Sequence, residues 1–206
     1  MNKLRTTILS CVLVFGILCS GCTNYTDRVK DDIKDTKRTY SCDYHTFSWK
    51  TKITFTMDGE EYEISGNVFT YLTDPLKLKD SNDNVIGYAS DEYHVISQDD
   101  HAIFIDEKFE VAIKGNFEVF GNSYDIYGDD DVKLGKAEFN TTCTSGAILD
   151  NDGNAVAVYS KNLILNDYTV DIYDNNICSD KAMLMIIASY VSDYHADNDS
   201  SSSNDD

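Results

Sequence analysis

Ser179-Asp180-Lys181-Ala182-Met183-Leu184-Met185-Ile186-Ile187-Ala188-Ser189-Tyr190-Val191 is the stretch on which the fold turns. Ser179-Asp180 offers a helix N-cap, and after Lys181 the apolar residues run consecutively. A helix that is apolar on every side has no face to give to water and must be enclosed. At 1.5 Å per residue, about 12 to 15 residues extend roughly 20 Å. That is too short for a hydrocarbon core of about 30 Å, and it suits the inside of a small barrel. A buried final strand over residues 183–188 is the competing reading, because periodicity alone does not separate the two. The tail at 196–206 is Ser, Asn and Asp after Ala196 and is expected to be disordered.

Everything upstream reads as short strands. Phe47 and Trp49, then Ile53, Phe55 and Met57, alternate with Lys50, Lys52 and Thr54. Period two marks a half-buried strand. Asp58-Gly59 follows as a tight-hairpin dipeptide, and Tyr62, Ile64, Val68 and Phe69 return. Further strands are expected at 76–78, 85–88, 103–105, 109–113, 117–119, 124–126, 132–134, 147–149, 155–159 and 168–172. Turn signals separate them at Asn82-Asp83-Asn84, Lys114-Gly115-Asn116, Gly121-Asn122, Gly128-Asp129-Asp130 and Asp152-Gly153-Asn154. About a dozen such strands imply a mainly β chain, curled into an antiparallel barrel or folded as a sandwich.

Composition narrows the function classes. The 206 residues hold 36 Asp plus Glu against 17 Lys plus Arg, a formal net charge of -19. Such a polyanion is repelled by nucleic acid phosphates and by acidic lipid headgroups, so neither is a natural partner. A hydrophobic share of 42% supports a buried core, and one Pro with 11 Gly excludes collagenous or Pro-rich architecture.

The N-terminus reads as a targeting segment. Lys3 and Arg5 precede an apolar run at residues 8–18, too short to span a bilayer and suited to a signal-peptide core. Leu18-Cys19-Ser20-Gly21-Cys22 then resembles the lipobox of bacterial lipoproteins, with Cys19 standing where that motif most often has Leu. The resemblance implies a signal peptide over 1–21 and Cys22 as the acylated first residue of the mature protein. The membrane would then be a partner through the lipid anchor, with an extracytoplasmic location. An ordinary signal peptide with an incidental cysteine is the alternative. Removing 1–21 takes away two bases and no acid, leaving 15 bases against 36 acids, or -21. Residues 22–44 are expected to form a membrane-proximal linker, flexible or partly helical, with Val29 and Ile33 spaced by four.

The order of elements over residues 45–195 resembles the tubby C-terminal-like superfamily, and within it the LURP-one-related proteins. The matching segments are Phe117-Glu118-Val119-Phe120-Gly121, Tyr124-Asp125-Ile126-Tyr127-Gly128-Asp129, Asp152-Gly153-Asn154-Ala155-Val156-Ala157, Tyr168-Thr169-Val170-Asp171-Ile172 and the hydrophobic run from Met183 to Tyr190. The resemblance implies a closed barrel of about twelve antiparallel strands threaded by the C-terminal helix. Tubby domains bind phosphoinositides through a basic pocket, and phospholipid scramblases are similar in fold. The pairs Lys50/Lys52 and Lys77/Lys79 are the densest bases in the body, and alternation along strands fits a solvated face, so phosphoinositide binding is not expected.

No residue pattern announces catalysis, a cofactor or a metal. His45, His94, His101 and His195 lack metal-ligand spacing. Asp80-x-Asn82-x-Asn84 with Asp91 loosely follows a calcium loop, but Val85 stands where that loop needs Gly, so a hairpin turn is expected. Asp129-Asp130-Asp131 reads as a solvated turn. Cys42, Cys143 and Cys178 remain in the mature chain besides Cys22, and a Cys143–Cys178 disulfide or buried thiols both stay open. The expected role is a noncatalytic binding or interaction module for an unknown protein or small molecule, not an enzyme. The 14 tyrosines are candidate contacts or sheet packing. A scramblase-like or carrier-like lipid-handling protein is the alternative, and it requires an apolar cavity.

Overall fold

The computed structural model describes residues 24–47, 50–67, 76–90, 101–117, 122–162 and 167–202. Six strands form its first half: β1 (Arg38–Phe47), β2 (Lys50–Met57), β3 (Glu60–Asn67), β4 (Leu76–Lys79), β5 (Val85–Ser90) and β6 (His101–Ile105). Six more follow: β7 (Lys108–Phe117), β8 (Asn122–Tyr127), β9 (Lys133–Phe139), β10 (Ser145–Asp150), β11 (Ala155–Lys161) and β12 (Asp167–Ile172). The last element is the helix α1 (Asp180–Ser202). Each strand pairs antiparallel with its sequence neighbours, and β1 closes the ring on β12, from Arg38 opposite Ile172 to Asp43 opposite Asp167. Closure leaves no unpaired edge to template aggregation.

Ring size and helix size match. Twelve strands about 4.8 Å apart and tilted by about 40° enclose a backbone cylinder about 24 Å across. An α-helix with its side chains is about 10 to 12 Å wide, which leaves one layer of barrel side chains around it. Residues 182–192 of α1 are all buried, a run that covers every direction around the helix. They share one core with alternate strand residues: Tyr40, Cys42 and Tyr44 on β1, Ile53 and Phe55 on β2, Ile103 and Ile105 on β6, Val170 and Ile172 on β12. The helical reading of the final apolar stretch therefore holds, and the strand reading does not.

Turn chemistry sets the registers. Asp58 and Gly59 both have positive φ, 54° and 84°, the mirror-image turn that suits strand twist. Asp106 and Glu107 make the same kind of turn without glycine, at 50° and 64°. Two further hairpins, β4–β5 and β10–β11, are copies of one device. Asp80 Oδ1 accepts the backbone N–H groups of Asn82 and Asn84, each at 2.9 Å. Asp150 Oδ1 does the same for Asp152 and Asn154, at 3.0 and 2.8 Å. Both are followed by a bulge, so one residue drops out of register after each turn.

Three expectations need correction. Lys114-Gly115-Asn116 is no turn but the last part of β7, opposite Asp125, Tyr124 and Ser123, because pairing along the whole of β8 outweighs the local turn preference. The linker at 22–44 does not run to 44: β1 begins at Arg38, and 24–36 lies against the barrel. The expected disordered tail begins too early, since α1 continues to Ser202, each added residue gaining a helical hydrogen bond once the buried turns exist. Residues 203–206, residues 1–23 with Cys22, Trp49, Val68, Phe69, Asp91, His94 and residues 118–121 lie outside the described residues.

The N-terminal arm is built from two 3-10 turns, Tyr25–Arg28 and Asp31–Thr36. Tyr25 and Val29 are buried, and with Ile33 they cover Ala147, Leu149, Ala155 and Tyr173 on the outside of the barrel. The spacing by four that suggested a short tether helix is instead an apolar stripe with a partner. Thr36 Oγ1 donates to Tyr173 O at 2.5 Å. Arg28 pairs with Glu138 at 2.8 Å, Lys30 with Asp150 at 3.0 Å and Lys37 with Asp171 at 3.5 Å.

Candidate functional site

A binding reading directs attention first to the barrel interior. Between α1 and the wall formed by β1–β3, β11 and β12 there is a cavity of about 10 Å³, lined by Cys42, Phe55, Ile64, Tyr159, Tyr168, Leu184 and Ile187 among others. A buried water needs at least about 10 to 15 Å³, and small-molecule sites measure about 300 to 1,000 Å³. The space is at the limit for one water and far below the volume of an acyl chain or headgroup. Helix side chains occupy the volume that a carrier would keep open.

The Tyr168 hydroxyl is buried and makes no hydrogen bond among the described residues. Its ring stacks on Tyr159 at 5.3 Å and meets the edge of Tyr44 at 5.5 Å. Tyr159 OH donates to Cys143 O at 2.9 Å, and Tyr190, stacked on Phe139 at 3.8 Å, donates to Asn140 O at 3.0 Å. Among the described residues nine tyrosines are buried: Tyr25, Tyr40, Tyr44, Tyr62, Tyr124, Tyr159, Tyr168, Tyr173 and Tyr190. Most of the described tyrosines are therefore core and arm packing. Burial holds the Tyr159 and Tyr168 phenols well above their ordinary range, so both stay neutral.

The three thiols are free and buried. Desolvation pushes Cys42 up to about 12 and Cys143 to about 11, and it raises Cys178 as well. The thiolate is the nucleophile, and at such values fewer than about one thiol in a thousand is ionised at pH 8. Alkylation of the folded protein with iodoacetamide at pH 8 is expected to leave Cys42, Cys143 and Cys178 unmodified over an hour, with complete reaction after denaturation, read by intact mass. Rapid native labelling of any one of them would contradict the burial that the barrel imposes.

At the mouth of the helix, Ser179 Oγ accepts Ala182 N–H at 3.3 Å, the cap expected from sequence. Asp180 receives both Arg38 nitrogens at 2.7 and 2.8 Å and the Tyr40 hydroxyl at 2.6 Å. Burial raises the Asp180 carboxyl, but the Arg38 and Tyr40 bonds outweigh it and hold the group below the usual carboxylate range. Its acceptor sites are committed to the first strand, so this is a latch between β1 and α1 across 142 residues of sequence.

The remaining expected residues do not converge. His101 is buried on β6 and His45 is exposed on β1, while His195 lies in α1. The Asp80 carboxylate is spent on Asn82 and Asn84, including the Asn84 side-chain amide at 2.9 Å, which settles the calcium-loop resemblance in favour of a hairpin cap. Asp129, Asp130 and Asp131 form an exposed 3-10 turn. Among the described residues no group of three His, Cys, Asp or Glu side chains is placed to hold a metal, and no helix is long and apolar enough to cross a membrane. Lys52 pairs with Glu63 at 2.6 Å and Lys79 with Asp83 at 3.7 Å, so these bases are partly neutralised where they stand.

Compared with protein-family models, with curated proteins and with solved structures, the chain matches none. The residues that sequence reasoning missed are those of the arm and of the latch. Tyr40-x-Cys42-x-Tyr44 carries the strand alternation that would have extended β1 upstream; the ion pairs carry no local signal at all.

Proposed function

We propose that the chain is an extracytoplasmic lipoprotein, anchored through acylated Cys22, whose tubby-like barrel is a noncatalytic interaction module. The anchor reading stands on Leu18-Cys19-Ser20-Gly21-Cys22 behind the basic and apolar leader. Two or three acyl chains suffice for stable anchoring, since each buried methylene contributes about 0.8 kcal/mol. The observation that carries the module reading is the filled interior, a cavity of only about 10 Å³ beside α1. A barrel whose interior, among the described residues, is filled by α1 works through its outer surface, and a protein partner on that surface is the expected occupant. A ring of twelve antiparallel strands around an enclosed helix is the fold that the resemblance to tubby-like and LURP-one-related domains implies.

Mass spectrometry of the full chain, expressed in a lipoprotein-processing bacterial host and extracted from membranes, tests both parts. The expected denatured mass is that of residues 22–206 plus acyl groups, and the native mass adds nothing to it. Cys22→Ala is expected to abolish the acyl increment and leave the precursor uncleaved. A lipid or metal seen only under native conditions would replace the module reading with a ligand-carrying one.

A further inference from the structure

We propose that the N-terminal arm makes the lipoprotein a flush-mounted one: the flank of the barrel formed by β9–β11 is held against the phospholipid surface in a fixed orientation. This inference rests on the lipoprotein reading, and it follows from where the arm docks and how little chain precedes it. Tyr25 is buried, 7% exposed, against Ala147, Leu149 and Ala155 on β10 and β11. From Cys22 to Tyr25 is three residue steps, which reach at most about 11 Å when fully extended. No stalk is left over, because the residues that would have formed it are packed on the barrel.

Charge fits the same flank. Outside residues 23–40 the mature chain carries 10 bases against 32 acids, an excess that opposes approach to an acidic headgroup layer. Two of the arm's three bases are spent on acids of this flank, Arg28 on Glu138 of β9 and Lys30 on Asp150 of β10, and Lys37, between the arm and β1, meets Asp171 on β12. Lys136 adds a second cation to Glu138. Two carboxylates on the flank nearest the anchor, Glu138 and Asp150, are thus neutralised in place.

The two matching hairpins supply the test. β4–β5 and β10–β11 are six strands apart in a ring of twelve, so their turns lie at the same end and on opposite sides. Asp152→Cys and Ser81→Cys each place one exposed thiol in a protein whose other thiols are buried or acylated. Labelled with a donor dye and reconstituted in phosphatidylethanolamine–phosphatidylglycerol vesicles carrying an acceptor headgroup, the acylated protein is expected to transfer at least about twofold more efficiently from position 152 than from 81, given a barrel about 24 Å across. A ten-residue Gly-Ser insertion between Thr23 and Asn24 leaves the docked arm intact, lengthens the tether by an r.m.s. reach of about 18 Å, and is expected to bring the ratio close to one. Equal transfer from both positions in a protein whose mass shows the acyl groups overturns the fixed orientation and leaves the lipoprotein reading standing. A ratio that survives the insertion overturns the arm as its cause. Absence of acyl groups in the mass removes the lipoprotein reading, and this inference with it.

Discussion

Ile186→Asp is expected to leave no folded barrel. Ile186 has no exposed surface, and its neighbours along α1, Met185 and Ile187, are buried as well. A carboxylate placed there has no cation to meet, and it either carries its charge into an apolar interior or takes up a proton at a cost of several pKa units. The expected loss exceeds about 5 kcal/mol, comparable with the whole stability of an ordinary domain. Circular dichroism and urea titration should show no cooperative transition, and the protein should bind a hydrophobic dye. Val85→Asp is the control, because Val85 is 52% exposed and a surface change there should stay within about 0.5 kcal/mol. Ile186→Ala should fall between, near 2 to 5 kcal/mol, with a cooperative transition retained. If Ile186→Asp unfolded like the parent, α1 would not be enclosed and the case for a filled interior would fail.

The same reasoning explains what could be read in the sequence. Alternation and an all-round apolar run are short-range signals with long-range consequences, so the strands and the enclosed helix were legible before any coordinates. Asp58-Gly59 was legible because glycine announces positive φ. Asp106-Glu107 was not, since it takes the same conformation with residues that only tolerate it. Lys114-Gly115-Asn116 misled because turn residues in a row look alike whether they end a strand or face a partner strand. The arm was misread for a different reason. Tyr25, Val29 and Ile33 become meaningful only once Ala147, Leu149 and Tyr173 are brought beneath them by closure of the ring. The latch of Arg38 and Tyr40 on Asp180 has the same character, two ends of a chain meeting because the barrel closes between them. The candidate site was the least legible part, because its decisive property is a volume, and a volume depends on how all the strands and the helix pack together.

Gly135→Ala is expected to be the most damaging one-methyl addition in the strands that carry the arm. A Cβ at Gly135 would collide with the carbonyl oxygen of Leu149 on β10 and come within 3.1 Å of Ile177 Cδ1. Leu149 O is backbone in a paired strand, so it cannot rotate away as a side-chain tip would, and β9 and β10 have to separate locally. An overpacked core position costs about 1 to 3 kcal/mol, and a rigid backbone partner places this one at about 3 kcal/mol or more. For a chain of this size that lowers Tm by about 6 to 12 °C. Gly59→Ala isolates the other role of glycine: nothing lies within 4 Å of its Cβ position, and only its φ of +84° is at stake, so about 1 to 2 kcal/mol is expected. The displacement at Gly135 also propagates outward. Asp150, opposite Gly135 in register, holds Lys30, and Leu149 lies under the arm. Gly135→Ala should therefore expose the arm to protease at 24–36 under conditions where the barrel itself remains folded, whereas Gly59→Ala should not. If both variants lost the same stability and the arm stayed protected, the close approach of β9 to β10 would not be what seats the arm on the barrel.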